Sequence, residues 1–189
     1  MADELINILD KNGKKTKLIQ SKKYSHRIGL WHAVTNVWVY NSKGEILLQK
    51  RSKLKGVWPN KLGVSAGGHV SVGEKIEQAA VRETFEEIGI KTTIKQLEKI
   101  AVKKIIVTKG EVGDKKYRDR REFTHVFLLK YDKNISNLKI QECEVSQIKF
   151  IPIKKIESEL NDKVKCEKYA HTKEYYLEII RIIKKKLKQ

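Results

Sequence analysis

Residues 68–90 read GHVSVGEKIEQAAVRETFEEIGI, and this stretch decides the fold. At about 100° per residue, Ile76, Ala80, Val81, Thr84, Phe85 and Ile88 sweep one contiguous half of a helix opening near Glu74. Glu83, Glu86 and Glu87 fall in a sector of about 100° centred outside that half, with Glu87 at its border. Ala79 shares the sector, and its small side chain leaves the carboxylates room to converge. Carboxylates spaced i, i+3 and i+4 repel by roughly a few tenths of a kcal/mol per pair. The neighbouring cation, Arg82, is spaced to reach Glu86 one turn later. Gly89 stands where a left-handed residue ends a helix. Such an oxygen cluster on a rigid helix suits hard cations, Mg²⁺ or Mn²⁺; the other reading of three glutamates alone is a solvated acidic face.

Outward from this helix, the chain has 189 residues, which fits one domain spanning 1–189, with residues 1–28 as an N-terminal extension. Leu5 to Leu9 and Thr16 to Ile19 flank Asn12-Gly13 and read as a β-hairpin. Residues 31–40, 45–50, 100–108, 123–131 and 148–151 read as strands, with a charged turn from Lys109 to Arg121. Tyr169 to Leu187 reads as a C-terminal amphipathic helix, with Tyr176, Ile179, Ile180 and Ile183 on one side. Strands combined with two helices give an α/β fold whose sheet is sandwiched by helices.

Composition narrows the class. Hydrophobic residues make up 40% of the chain, enough for a core, and no apolar run approaches the roughly 20 residues of a membrane span. The opening Met1-Ala2-Asp3-Glu4 lacks the features of a secretory signal. The two cysteines, Cys143 and Cys166, have no metal-ligand spacing and suit a reducing compartment. A cytoplasmic protein is the expectation. The net charge of +18 attracts polyanions, but the basic residues are mostly lysines scattered along the chain. They favour steering of a phosphorylated small molecule; nucleic acid is the disfavoured partner.

The spacing of Gly68, Glu74, Arg82, Glu83, Glu86, Glu87, Gly89 and Ile90 resembles the Nudix box, G-x5-E-x7-R-E-U-x-E-E-x-G-U with U aliphatic. Thr84 departs from it, standing where an aliphatic residue is expected. The resemblance implies a Nudix α/β/α sandwich with a mixed β-sheet. It also implies Glu83, Glu86 and Glu87 as Mg²⁺ ligands oriented by Arg82, with Glu74 in the metal site or its hydrogen-bond network. Gly68 and Gly89 would allow the backbone turns at either end.

Trp31-His32, Trp38, residues 47–52, Trp58-Pro59 and residues 66–69 resemble the branch related to isopentenyl-diphosphate isomerase. Gly67 stands where that isomerase carries a catalytic cysteine, and Arg120 replaces one member of an acidic pair of which Glu122 is retained. These departures point to hydrolysis of a phosphoanhydride in a diphosphate linked to another moiety. Isomerisation is the alternative, as is a non-catalytic RNA- or protein-binding module. Arg51 resembles family arginines that grip a diphosphate, and Trp58, Gly68, His69 and His32 join it as substrate-contacting candidates. His26, His32 and His69 match or lie near a second metal site of the isomerase; structural histidines bonded to backbone are the commoner reading. Glu122, then Glu144, are the candidate bases from outside the box. The extension, residues 1–28, is expected to shape the substrate pocket or to form a homodimer contact.

Overall fold

The computed structural model describes residues 3–107, 111–112, 115–116 and 120–189. The Met1-Ala2 start and parts of the turn expected from Lys109 to Arg121 lie outside them. In chain order the strands and helices are β1 (Leu5–Leu9), β2 (Lys15–Ser21), α1 (Lys22–Ile28), β3 (Trp31–Tyr40), β4 (Glu45–Arg51), β5 (Leu62–Gly63), β6 (Ala66–His69) and α2 (Ile76–Ile88). There follow β7 (Glu98–Val107), β8 (Glu111–Val112), β9 (Lys115–Lys116), β10 (Arg120–Lys130), β11 (Val145–Pro152), α3 (Ile153–Asn161) and α4 (Lys173–Lys186).

Strand β3 organises the mixed sheet. It runs parallel to β10 along its whole length, from Trp31↔Arg121 to Tyr40↔Lys130. Its antiparallel partners divide it: β4 meets Val39 and Tyr40, β6 meets residues 34–37, and β1 meets His32. Alternation along these strands sends successive side chains to opposite faces. Val37, Val39, Leu47, Phe127 and Leu129 pack with Ala80, Ile88 and Ile90 around α2. Trp38, Ile46, Leu48, Val126 and Leu128 pack with Ile156, Tyr176, Ile179, Ile180 and Ile183 of α3 and α4. The result is the α/β/α sandwich, with the N-terminal hairpin of β1 and β2 and a C-terminal helix.

Three readings of the sequence change. Two helices were legible, but the described residues also contain α1 and α3. Helix α1 is short, and it is fixed by Ser21, whose side chain accepts the Tyr24 N–H, and by Gly29 in the left-handed region at its other end. Helix α4 starts at Lys173, later than Tyr169, because Thr172 caps it by accepting from Tyr175 N–H. Tyr169 and Ala170 precede it as buried chain, Ala170 N–H bonding to Leu62 O.

The third change concerns α2. Its buried residues are Ala79, Ala80, Thr84, Glu87 and Ile88, while Phe85 is 49% exposed. The helix is therefore rotated from its apolar half towards the carboxylates. A rotation that exposes a phenylalanine and buries a glutamate needs polar partners for the glutamate, and the next section identifies them.

Gly89 ends α2 at φ 71°, and a Cβ there would meet the backbone of Lys139 at 2.7–2.9 Å. Gly89→Ala should destabilise the protein by about 2 kcal/mol or more, combining left-handed strain with a backbone clash. Urea denaturation would measure it, and a loss below about 0.5 kcal/mol, the scale of a neutral surface change, would contradict this account.

Candidate active site

Glu87 lies under the sheet, 4% exposed, where its Oε2 accepts the Gly67 N–H at 2.9 Å and Gln49 Nε2 at 3.1 Å. Burial, and next the charge of Glu83, push its carboxyl up to about 7. Glu83 is also raised, mainly by burial. Its carboxylate rests against the backbone at Gly68, where a Cβ would come within 2.1 Å of Glu83 Oε1. Gly68 is thus needed for space and not for a positive φ, whereas Gly73 and Gly89 in the same stretch do adopt positive φ. Glu86 is the most open of the three, its side chain 46% exposed.

Arg82 ties these acids together. Its Nε and Nη2 donate to the two oxygens of Glu74 at 2.9 and 3.0 Å, and Nη2 also reaches His69 O at 3.0 Å. Nη1 donates to Glu83 at 2.7 Å and to Glu86 at 3.0 Å. A planar fork can serve carboxylates on both sides at once. Glu74, expected as a metal ligand or a member of its network, spends both oxygens on Arg82 and accepts the Ser71 N–H as well. These bonds tie it into the Arg82 hydrogen-bond network.

Glu83, Glu86 and Glu87 border one cavity of about 490 Å³. Arg51, Trp58, Gly68, His69, Glu122 and Glu144 line it too. His32 does not, being fully buried behind the cavity wall. Arg51 donates from Nε to Val57 O at 3.0 Å, and Glu144 is ion-paired with Lys55. Lys55, Lys22, Asn36, Gln49, Thr124 and His171 also reach the cavity, and sequence reasoning singled out none of them. For His171 no local signal existed: it precedes α4 and enters the site only because Trp58 packs edge-on against it, ring centroids 4.9 Å apart.

A second cluster stands beside the box glutamates. His26, His32, His69 and Glu122 come from α1, β3, β6 and β10, and their ligand atoms all lie within 4.8 Å of one another. Nε2 of His26 is 3.2 Å from Nε2 of His32 and 3.0 Å from Nε2 of His69. His32 makes the backbone bond expected of a structural histidine, Nδ1 donating to Leu30 O at 2.8 Å. That bond fixes its tautomer and turns an Nε2 lone pair towards the cluster. Burial, then Arg120, lower His26 to about 3, and burial holds His69 well below the usual histidine range. Converging imidazoles with a carboxylate can hold a divalent ion of the nitrogen-preferring kind. Glu122 is also ion-paired with Arg120; burial works against its charge, but Arg120 leads the groups that outweigh it, and the carboxyl is held at about 2.

The NUDIX domain family matches residues 30–171. The chain belongs to the Nudix family. A protein of Arabidopsis thaliana described as Nudix hydrolase 3 is 34% identical over 157 residues, which cover 80% of this chain but 20% of that protein. An uncharacterized Nudix hydrolase of Clostridium acetobutylicum is 32% identical, covering 87% of this chain and 77% of the other. A solved structure from Deinococcus radiodurans shares the fold, with a TM-score of 0.64 at 20% identity over 94% of this chain and 98% of that one. There is weaker, partial homology to bacterial isopentenyl-diphosphate isomerases, at 30% identity or near it. The Nudix architecture is that of a hydrolase of the pyrophosphohydrolase type. No helix among the described residues is long and apolar enough to cross a membrane.

Two predictions follow from these interactions. Arg82→Lys keeps the charge but loses the fork, and should cost about 2–3 kcal/mol of stability because several charge-assisted bonds vanish together. Equal unfolding midpoints in urea would contradict the clamp.

His171 and His125 are both lowered to about 4 by burial, next by Arg51 and Lys99 respectively. The unfolded chain takes up these protons near pH 6.5, and the folded chain only near pH 4. Their contribution to stability is therefore full above about pH 6.5 and falls as pH drops towards about 4. Melting temperatures of chelator-treated protein should fall between pH 7 and pH 5, and less steeply in His171→Phe. Identical slopes in both proteins would refute the assignment to His171.

Proposed function

We propose that the chain is a divalent-cation-dependent hydrolase that cleaves the phosphoanhydride bond of a diphosphate linked to another moiety. The observation that carries this reading is the grouping of Glu83, Glu86 and Glu87 around the same cavity as Arg51 and Lys55. Carboxylates that crowd together at a cavity wall, two of them largely buried, fit a small hard cation, and the raised Glu83 and Glu87 have the electrostatics of ligands awaiting one. Mg²⁺ or Mn²⁺ would be held by these three residues, and when bound would polarise the anhydride and acidify a water.

The chain's own groups supply the rest. Arg51 and Lys55 offer positive charge to the diphosphate oxygens, and Arg82 holds Glu83 and Glu86 in place. Glu122 is committed to Arg120 and the imidazoles, which weakens its case as the general base. Glu144, on the same cavity and hydrogen-bonded only to Lys55 through its side chain among the described contacts, is the better candidate. The nearby His26, His32, His69 and Glu122 would accept a second, more nitrogen-preferring ion.

Isomerisation is the second reading, favoured by the partial homology and by the histidine cluster. It needs an acid where Gly67 stands. A Cβ at Gly67 would meet Thr35 O at 2.6 Å and Asn36 Oδ1 at 2.8 Å, so this backbone leaves no room for a cysteine. Neither Cys143, which is exposed, nor Cys166 lines the cavity.

With Mg²⁺ and a panel of nucleotides, nucleotide sugars and isoprenoid diphosphates, the protein should release phosphate or a phosphomonoester without moving a double bond. Glu86→Gln and Glu87→Gln should each lower kcat roughly a hundredfold or more, the scale of losing several kcal/mol of charge stabilisation. Hydrolysis surviving both substitutions would falsify the metal role given to α2. Glu144→Gln should lower kcat more than Glu122→Gln does; the reverse order would restore Glu122 as the base.

A further inference from the structure

Strand β4 changes character along one of its faces. By alternation Leu47, Gln49 and Arg51 project to the same side of the sheet. Leu47 packs into the core with Ala80 and Ile88 of α2, and Arg51 borders the cavity. Gln49 stands between them, 2% exposed, where this row leaves the core. Its backbone is held from both sides, since Gln49 is the register partner of Ile148 on β11 and of Gly63 on β5. A side chain rooted in the middle of a sheet is a rigid support.

The bonds of that side chain are uneven. Gln49 Nε2 donates to Glu87 Oε2 at 3.1 Å, and the Gly67 N–H donates to the same oxygen at 2.9 Å. Two donors on one oxygen hold a carboxylate in place, because turning it strains both bonds together. Glu87 Oε1 has no hydrogen bond among the described contacts and is not a buried orphan, so it is the oxygen left open to the cavity. The other end of the amide is unspent: Gln49 Oε1 is buried and has no partner. A glutamine that served only to satisfy a buried carboxylate would have both ends paired, as buried side-chain amides usually do. Two oxygens that only accept, one on Glu87 and one on Gln49, thus stand unpaired at one wall. Acceptors grouped in this way call for a cation and a donor water.

We infer that Gln49 is a positioning residue for the divalent cation: its amide nitrogen holds Glu87 by Oε2 so that Oε1 is presented to the ion, and its amide oxygen accepts from a water in the cavity. This deepens the hydrolase reading and rests on it for the cation itself. Arg82 does the corresponding work for Glu83 and Glu86, and none of its described bonds reaches Glu87. Of these three carboxylates, Glu87 is the one whose side-chain donors come from the sheet. Losing an outer partner of this kind lowers metal affinity or activity by about 10–100-fold.

Gln49→Met keeps the length and bulk of the side chain and removes both ends of the amide. Mg²⁺ alone is the probe, because it prefers oxygen and so reports the glutamates and not the imidazoles. The Mg²⁺ concentration giving half of the ion-induced rise in melting temperature should increase at least about tenfold in Gln49→Met, and the rise should vanish in Glu87→Gln. With a compound that the wild type hydrolyses, the activity that Gln49→Met loses at low Mg²⁺ should return to within about fivefold at saturating Mg²⁺, a recovery that a merely structural role would not produce. The wild type offers a measurement that needs no folded variant: the Gln49 side-chain amide signal in heteronuclear NMR spectra should shift when Mg²⁺ is added. Equal Mg²⁺ midpoints in wild type and Gln49→Met, or a Gln49 amide indifferent to Mg²⁺, would overturn the inference and leave the hydrolase reading standing. A wild type whose melting temperature and turnover both ignore Mg²⁺ would sink the hydrolase reading, and the role of Gln49 with it.

Discussion

Two glutamates are folded into the joint between α2 and the sheet, and the rest of the site is arranged around keeping them there. Glu87 is buried under the Gly67 N–H and the Gln49 amide, and Glu83 rests where Gly68 has no side chain. Burying carboxylates beside one another is unfavourable unless each finds donors and a nearby cation. Arg82 is that cation, spanning Glu74, Glu83, Glu86 and the His69 carbonyl with one guanidinium. The two glycines are consequences of the same packing. Strand β6 can pair with β3 and still lie against α2 only if residue 68 presents bare backbone to Glu83 and residue 67 presents bare backbone to Thr35 and Asn36 of β3.

This arrangement gives the cavity two electrostatic sides. The box glutamates line one part of it, and Arg51, Lys55, Lys22 and Arg120 line others. The diphosphate proposed as substrate would use both: cationic side chains for its oxygens, and an acidic wall that would hold a divalent ion. The surplus of basic residues, +18 over the chain, adds a long-range attraction for anions that is independent of any one contact. The histidine cluster differs in kind. Its donors are mainly nitrogen, and Arg120 already neutralises its one carboxylate, so an ion there would compete with a resident guanidinium for Glu122.

Local pattern carried a great deal. Strands β1, β3, β4, β7 and β10, helix α2 and its stop at Gly89 are legible because each is announced by residues adjacent in the chain. The helices α1 and α3 were not, since α1 is only about two turns long and α3 follows a strand whose apolar residues merge into its own. Periodicity also misjudged the azimuth of α2. It assigns the apolar half to the core, whereas Phe85 is exposed and Glu87 is buried, because the donors that make Glu87 burial tolerable sit on β4 and β6 and are invisible to a helical wheel.

The sequence by itself determined that one helix carries Arg82, Glu83, Glu86 and Glu87 at fixed spacing, since an α-helix turns spacing directly into geometry. The tertiary structure alone decided what those residues meet. Glu122 faces His32 because β10 runs parallel to β3 in one register, and His69 joins them because β6 pairs antiparallel to the same strand. A shift of one residue in either pairing would turn the side chains to the other face of the sheet. His171, Thr124 and Asn36 are similarly brought to one cavity by the packing of α4 on that sheet. Register and packing are set by the whole core at once, so the arrival of His171 at this site had no local signature, and the meeting of His26, His32 and His69 was legible only through the family resemblance.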